Sequence, residues 1–286
     1  MRMTKVQPLA TLFLAMLPAS LVANDLGLVM KIRDSAFHQL TSVETVQCRA
    51  TLNRPRGGQS KISYFRNGNR YRVERNDLEP STVAGEPVST PYHVWTYDGE
   101  LYRMFNEENK TLKLTDGRGA AGSADPISVP FDWVAHLNCE SPFRENLVSS
   151  KIWEVIFENA RVRGQARCRG KECVVLEFKQ ACTNPVASFR VYFLIEERYF
   201  PVRCERWLEN GQDYDSFSEV VDYKRHVIGD QQFVIPLLHR YEQGTDYAME
   251  TKIDPESVVL NEPVEDEMFT IDPSLAKSVY TVRAKR

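Results

Sequence analysis

The feature that most constrains this chain is the period of its apolar residues. From about residue 160 to residue 260 they alternate with polar ones. The segments are "ARVRGQARCRG", "KECVVLEFK", "ASFRVYFLIEE", "PVRCERWLENG", "YDSFSEVVDYKRHV", "QQFVIPLLHRYEQG" and "DYAMETKIDPESVVLN". A period of two places successive side chains on opposite faces of an extended strand. Short loops separate the segments, several holding Gly or Asn, so the strands join as hairpins. The prediction is an antiparallel meander, not a β-α-β alternation, which needs long crossovers.

The first half shows the same rhythm. "VETVQCRATLN" alternates Val46, Cys48, Ala50 and Leu52. "KISYFRNGNRYRVER" reads as two strands joined at Asn67-Gly68, and "YHVWTYDGELYRMFN" as two joined at Asp98-Gly99. Both dipeptides are hairpin signals because they tolerate positive φ. "KTLKLTD" adds a strand. Helical spacing occurs in two places. Leu26, Val29, Met30, Phe37 and Leu40 recur at steps of three and four behind Asp25. Between residues 130 and 158, "FDWVAHL" and "SSKIWEVIFENA" read as short helices, the second capped by Ser149 or Ser150. The fold class is therefore α+β, mainly β: a single curved antiparallel sheet, an incomplete β-barrel, with an N-terminal helix and short covering helices.

"LKLTDGRGAAGSADP" contains Gly117, Gly119 and Gly122 at the spacing of a dinucleotide fingerprint. That fingerprint needs a helix opening at the third Gly inside a parallel unit. Here Pro126 and Pro130 follow, and the neighbouring strands are hairpins. The stretch reads as a surface loop, and no nucleotide cofactor is expected.

Arg2 and Lys5 precede an almost wholly apolar run, Leu9 to Val22, which exits at the small residue Ala23. This is the pattern of a secretory signal peptide, residues 1–23, with cleavage after Ala23 or, alternatively, Ser20. A buried or anchoring helix is the competing explanation. The run is short of the ~20 residues that span a bilayer. Residues 24–286 are then read as one exported domain, periplasmic or extracellular. Loss of Arg2 and Lys5 moves the formal charge from −3 to −5, which is unsuited to nucleic acid.

An even number of cysteines in an exported chain reads as disulfides. Cys48, Cys139, Cys168, Cys173, Cys182 and Cys204 are all candidates. Cys168 and Cys173 flank the turn-like "RGKE" and suit a hairpin bridge; Cys182–Cys204 and Cys48–Cys139 remain by subtraction, and sequence alone does not choose among the pairings. A zinc half-site is the alternative for Cys168 and Cys173, but no second pair at similar spacing exists.

No catalytic or metal site is expected. His38, His93, His136, His226 and His239 are scattered, without H-E-x-x-H or H-x-H. No G-x-S-x-G elbow occurs. The acidic pairs Glu196-Glu197 and Asp213/Asp215 fall at turns, and "EPVEDE" at 262–267 reads as a solvated bend.

What stands out is the apolar face. Phe189, Val191 and Phe193 line one strand; Phe217 and Val221 line another; in the first half Tyr71 matches Phe65, and Trp95 adds a further aromatic ring. A large apolar sheet face must be covered. Trp133 and Trp153, on the short helices, are placed to cover it. The space between is either a ligand cavity lined by these ten residues or a packed core.

Five stretches in order carry a resemblance: the N-terminal amphipathic helix before "YFRNGNRYRVER", then "VWTYDGELYRM", "VYFLIEERYFPVRCERW", "FSEVVDYKRHVIGDQQFVIP" and "SVVLNEPVEDEMFTIDP". In that order the chain resembles the outer-membrane lipoprotein-sorting (LolA-like) superfamily, in its larger exported bacterial relatives. The resemblance implies a half-barrel with helices as a lid over a hydrophobic cavity. It also implies a non-enzymatic carrier of lipid or lipoprotein acyl chains, or else an envelope protein-interaction or stress-sensor module with a filled core. The carriers' lid-latch arginine has no recognisable counterpart in the sequence.

Overall fold

A computed structural model describes residues 19–55, 58–79, 88–89, 92–116, 126–137, 147–179, 188–208, 214–244 and 247–282. The expected signal segment up to residue 18, the Gly-rich loop 117–125, Cys139 and Cys182 lie outside the described residues. Helix α1 runs Ala19–Thr41 and so crosses the expected cleavage point. No described helix is long and apolar enough to cross a membrane.

The first run of strands is β1 (Thr45–Asn53), β2 (Gln59–Asn67), β3 (Arg70–Glu79), β4 (Val88–Ser89), β5 (His93–Tyr97), β6 (Leu101–Asn106) and β7 (Thr111–Asp116). The second is β8 (Arg161–Cys168), β9 (Lys171–Lys179), β10 (Ser188–Leu194), β11 (Phe200–Trp207), β12 (Tyr214–Ile228), β13 (Gln231–Gln243) and β14 (Tyr247–Ile253). The short β15 (Val259–Leu260) and β16 (Ser278–Val282) complete the set. All belong to one open sheet, ordered β16-β7-β6-β5-β3-β2-β1-β14-β13-β12-β11-β10-β9-β8, with β4 beside β3 and β15 beside β1. Every pairing is antiparallel except β16 with β7.

The two runs are thus two meanders laid side by side through the β1–β14 pair, in which Ala50 faces Ile253. β7 and β8 are consecutive in sequence yet lie at opposite ends of the sheet, so their connection must traverse it. That connection holds a 3-10 turn (Val129–Phe131), α2 (Asp132–Leu137) and α3 (Ser150–Glu158). The hairpin turns behave as their residues require. Gly68 and Gly99 both take positive φ, and Asp98 accepts from the amides of Glu100 and Leu101.

The sheet is strongly curled. In a flat sheet β8 would lie about 19 Å from β12, four strand spacings away. Yet the short side chain of Cys168 on β8 lies 3.4 Å from the Glu219 carboxylate of β12, Arg169 of the β8–β9 turn donates to the same carboxylate at 2.8 Å, and Lys171 of β9 meets the Tyr223 hydroxyl of β12. Bulges in β12, between Val220 and Tyr223, supply local twist.

One face carries the main apolar clusters. α1, α2 and α3 cover the β8–β13 part with Val29, Ile32, Ala36, Trp133, Trp153 and Phe157. The β1–β6 part carries Val46, Tyr64, Tyr71, Val73, Tyr97 and Tyr102. The opposite face bears ion pairs: Arg203 with Glu205 of its own strand at 2.8 Å and, across strands, with Glu219 at 3.4 Å, and Arg240 with Glu250 at 3.4 Å. Glu205 and Glu219 are buried but paired, which is what buried carboxylates require. The C-terminal segment straps this outer face, burying Phe269 and Ile271.

The expected hairpin bridge is not formed. Cys168, Cys173 and Cys204 are free, buried thiols. The β8–β9 register pairs Cys168 with Lys171 and Cys173 with Ala166, so the two cysteines sit diagonally on one face, not opposite each other. Burial and the adjacent Glu219 carboxylate push the Cys168 thiol up to about 12.

Candidate functional site

The candidate site is the space between the covering helices and β9–β11. On the sheet side, alternation brings Phe178, Phe189, Val191, Phe193 and Phe200 to the helix-facing surface. On the helix side, α3 has its apolar stripe on Trp153, Ile156 and Phe157, all buried. Ser149 is its N-cap residue. Phe131 and Trp133 come from the preceding 3-10 turn and α2.

These side chains interlock. Trp153 stacks on Phe157 at 5.6 Å between ring centroids, and Trp133 lies 5.0 Å from Phe178 and 5.9 Å from Phe193. Phe131 meets Phe200 edge-on at 5.7 Å, and Phe37 of α1 meets Trp153 at 5.5 Å. Such contacts add about 0.5–1.5 kcal/mol each beyond area burial. Among the described residues, the space between the helices and β9–β11 is therefore occupied by side chains. Its filling comes from the helices, whose aromatic rings are long enough to cross to the sheet. One residual hollow of about 10 Å³, bordered by Gln39, Leu40, Val43, Arg66, Ser128, Phe131 and Phe200, has room for about one water.

Of the residues expected to line a cavity, Trp133, Trp153, Phe189, Val191 and Phe193 come together in this cluster. Tyr71 and Trp95 join the neighbouring one. Phe65 and Phe217 face the other way. Phe65 pairs with Gln47 and Arg72, not with Tyr71. Phe217 pairs with Glu205 and lies under the Arg203 guanidinium at 4.4 Å. Val221 falls in the β12 bulge and has no register partner between Val220 and Asp222.

The residue that sequence reading passed over is Arg66. Its exposure is 1%. It lies on the cluster-bearing face, paired with Val46 on one side and Tyr71 on the other. Its guanidinium donates to the Val43 carbonyl at 2.5 Å, where α1 hands over to β1, and to Ser128 Oγ at 3.2 Å, at the start of the covering segment. One cation thus ties the helix, the cover and the sheet together. The available signal was parity: Arg66 occupies the same alternation as Ile62 and Tyr64, where an apolar residue is expected.

The sheet end of α1 is fixed separately. Gln39 donates to the carbonyls of Glu197 and Arg198, and Ser35 to that of Arg198. Arg198 and Tyr199 both hold positive φ, 51° and 59°, a conformation that costs non-glycine residues energy. The Glu197 carboxylate, fully buried, accepts from Tyr223, Arg225 and Gln232. These bonds hold the strained turn under α1. Among the described residues no cluster of three metal-ligating side chains occurs.

No protein-family model matches the sequence. No curated protein matches it either. Several solved structures are similar. One is described as an outer membrane lipoprotein-sorting protein domain from Vibrio parahaemolyticus: 10% identity, 86% of this chain and 96% of that chain covered, TM-score 0.48. A DUF1329 family protein from Desulfovibrio piger gives 12%, 86%, 98% and 0.48 on the same measures. The Mycobacterium tuberculosis lipoprotein LppX gives 9%, 84%, 97% and 0.32. At these identities the likeness is one of fold.

Proposed function

We propose that this is an exported, non-enzymatic binding protein for an acyl chain of a lipid or lipoprotein, seen with its helical cover closed. The observation that carries the reading is the composition of the filling. Most of the aromatic groups occupying the space belong to a 3-10 turn and two short helices of six and nine residues, with α1 packed beside them. The apolar wall of the sheet behind them is complete without them.

Magnitudes make the exchange plausible only for a long chain. Uncovering four large apolar side chains costs about 6–12 kcal/mol. Burying an acyl chain of about sixteen carbons returns about 12 kcal/mol, at ~0.8 kcal/mol per CH₂. A short chain cannot displace the cover. The N-terminal export pattern supports a location where lipids and lipoproteins are met.

A second reading has its own observation. The hollow beside Arg66 is water-sized, which suits a partner-docking or sensor module whose cover never opens.

The test is native mass spectrometry after incubation with palmitoyl-lysophospholipid micelles, for wild type and Arg66→Met. Binding predicts one added acyl-lipid mass. It also predicts about tenfold faster hydrogen exchange over residues 126–137 in the variant, with faster lipid uptake. Bare mass under every condition, with 126–137 protected as strongly as β9–β11, would sink the carrier reading in favour of the docking one.

A further inference from the structure

Trp133 is one of several buried polar groups that the closed packing leaves unsatisfied, and it lies within the aromatic cluster between helices and sheet. It is 3% exposed. Its ring lies 5.8 Å from that of Trp153 and 6.1 Å from that of Phe157, in addition to the Phe178 and Phe193 contacts. Among the described residues its indole Nε1–H has no hydrogen-bond partner. Two other tryptophans behave differently. Trp153 Nε1 donates to the Leu147 carbonyl at 2.6 Å, and Trp207 Nε1 to Glu205 at 3.0 Å.

Buried indole N–H groups ordinarily find an acceptor, because an unmade bond forfeits the water it gave up. A permanently packed core would hold phenylalanine here at no such cost. The donor also sits where β9 and β10 meet α2, within the layer that an incoming acyl chain would occupy. We infer that Trp133 Nε1–H is the polar reader of the site, donating to the carbonyl oxygen of an ester- or amide-linked acyl chain. This rests on the acyl-binding reading above and assigns the group that tells an acyl chain from a plain alkyl chain. The recognised unit is a long chain joined to its head by a carbonyl, as in acylated lipids and lipoproteins, in preference to an ether-linked chain.

Methyl hexadecanoate and methyl hexadecyl ether separate the two classes, since they share chain length and differ in the carbonyl. Each is delivered from cyclodextrin to the full protein, wild type and Trp133→Phe. Wild type is expected to favour the ester by ~3–10-fold, the range of one neutral hydrogen bond. In Trp133→Phe the ester-to-ether ratio collapses to about one, whatever the change in absolute affinity for either compound.

On the wild-type protein with ¹⁵N-labelled tryptophan, the Trp133 indole proton should move downfield with the ester and not with the ether. That measurement does not depend on the variant folding. Ether and ester bound equally by wild type, or an ester preference that survives Trp133→Phe, would overturn the inference and leave acyl binding standing. Failure of wild type to bind either compound would overturn both.

Discussion

At the residue scale, parity and register decide which side chains meet. Phe65 shows how narrow the margin is. Aligning it with Tyr71 is a slip of one residue. The two-residue turn pairs Asn67 with Arg70 and so sets Arg66 against Tyr71. A slip of one reverses every side chain, which is why sequence reading picked Phe65 and missed Arg66. His239 carries a prediction at this scale. It is buried on β13 with Nε2 unpartnered, and burial pulls it down to about 4. A depressed histidine contributes stability that is complete above its ordinary value of 6.5 and disappears as pH falls toward 4. The loss should approach about 3 kcal/mol. Asp77, Asp98 and Glu219 are held below the usual carboxylate range by arginine and backbone donors, so their losses fall at lower pH. Urea melts between pH 7 and pH 4.5 should show the decline, and His239→Gln should flatten it. A wild-type profile flat over that interval would contradict the burial argument.

At the element scale, the sheet's two edges are treated differently. β8 presents Arg161, Arg163 and Arg167 along an exposed edge and carries a bulge. Charges and bulges deter edge-to-edge pairing. β16 is Ser-Val-Tyr-Thr-Val, with all five residues exposed. Its attachment is the backbone ladder to β7. Shortening the chain after Lys277 should therefore cost only about 1–2 kcal/mol, a few exposed hydrogen bonds. It should also raise self-association by uncovering the β7 edge. Urea denaturation with sedimentation velocity checks both. Loss of cooperative unfolding in the shortened chain would mean that β16 does more than cap an edge. The helices were legible as elements. Their role was only half legible, because a period of 3.6 reveals an apolar stripe and not how far its rings reach.

At the scale of the whole molecule, we propose that residues 24–286 form one folding unit. The β1–β14 pairing joins the meanders into one sheet, and the β7–β8 connection lies across it. Calorimetry should give a single transition, with van't Hoff and calorimetric enthalpies agreeing. Two resolved transitions would mark the halves as separate units. That the sheet curves was expected from sequence; which strands the curve brings together, setting the β8–β9 turn against Glu219 and Tyr223, was not legible. Twist accumulates across strands and depends on bulges, such as those at Val220–Tyr223, that have no local signature.

By itself the sequence determined the antiparallel, mainly β architecture, the places of the turns and the positions of the helices. Alternation, Gly68, Gly99 and amphipathic spacing act locally and are visible one segment at a time. Tertiary structure decided that the space behind the helices is filled, that Arg66 binds cover to sheet, and that Trp133 lacks an acceptor. Those outcomes depend on which side chains from distant segments arrive at the same point, and on whether their volumes and hydrogen-bonding groups match once there.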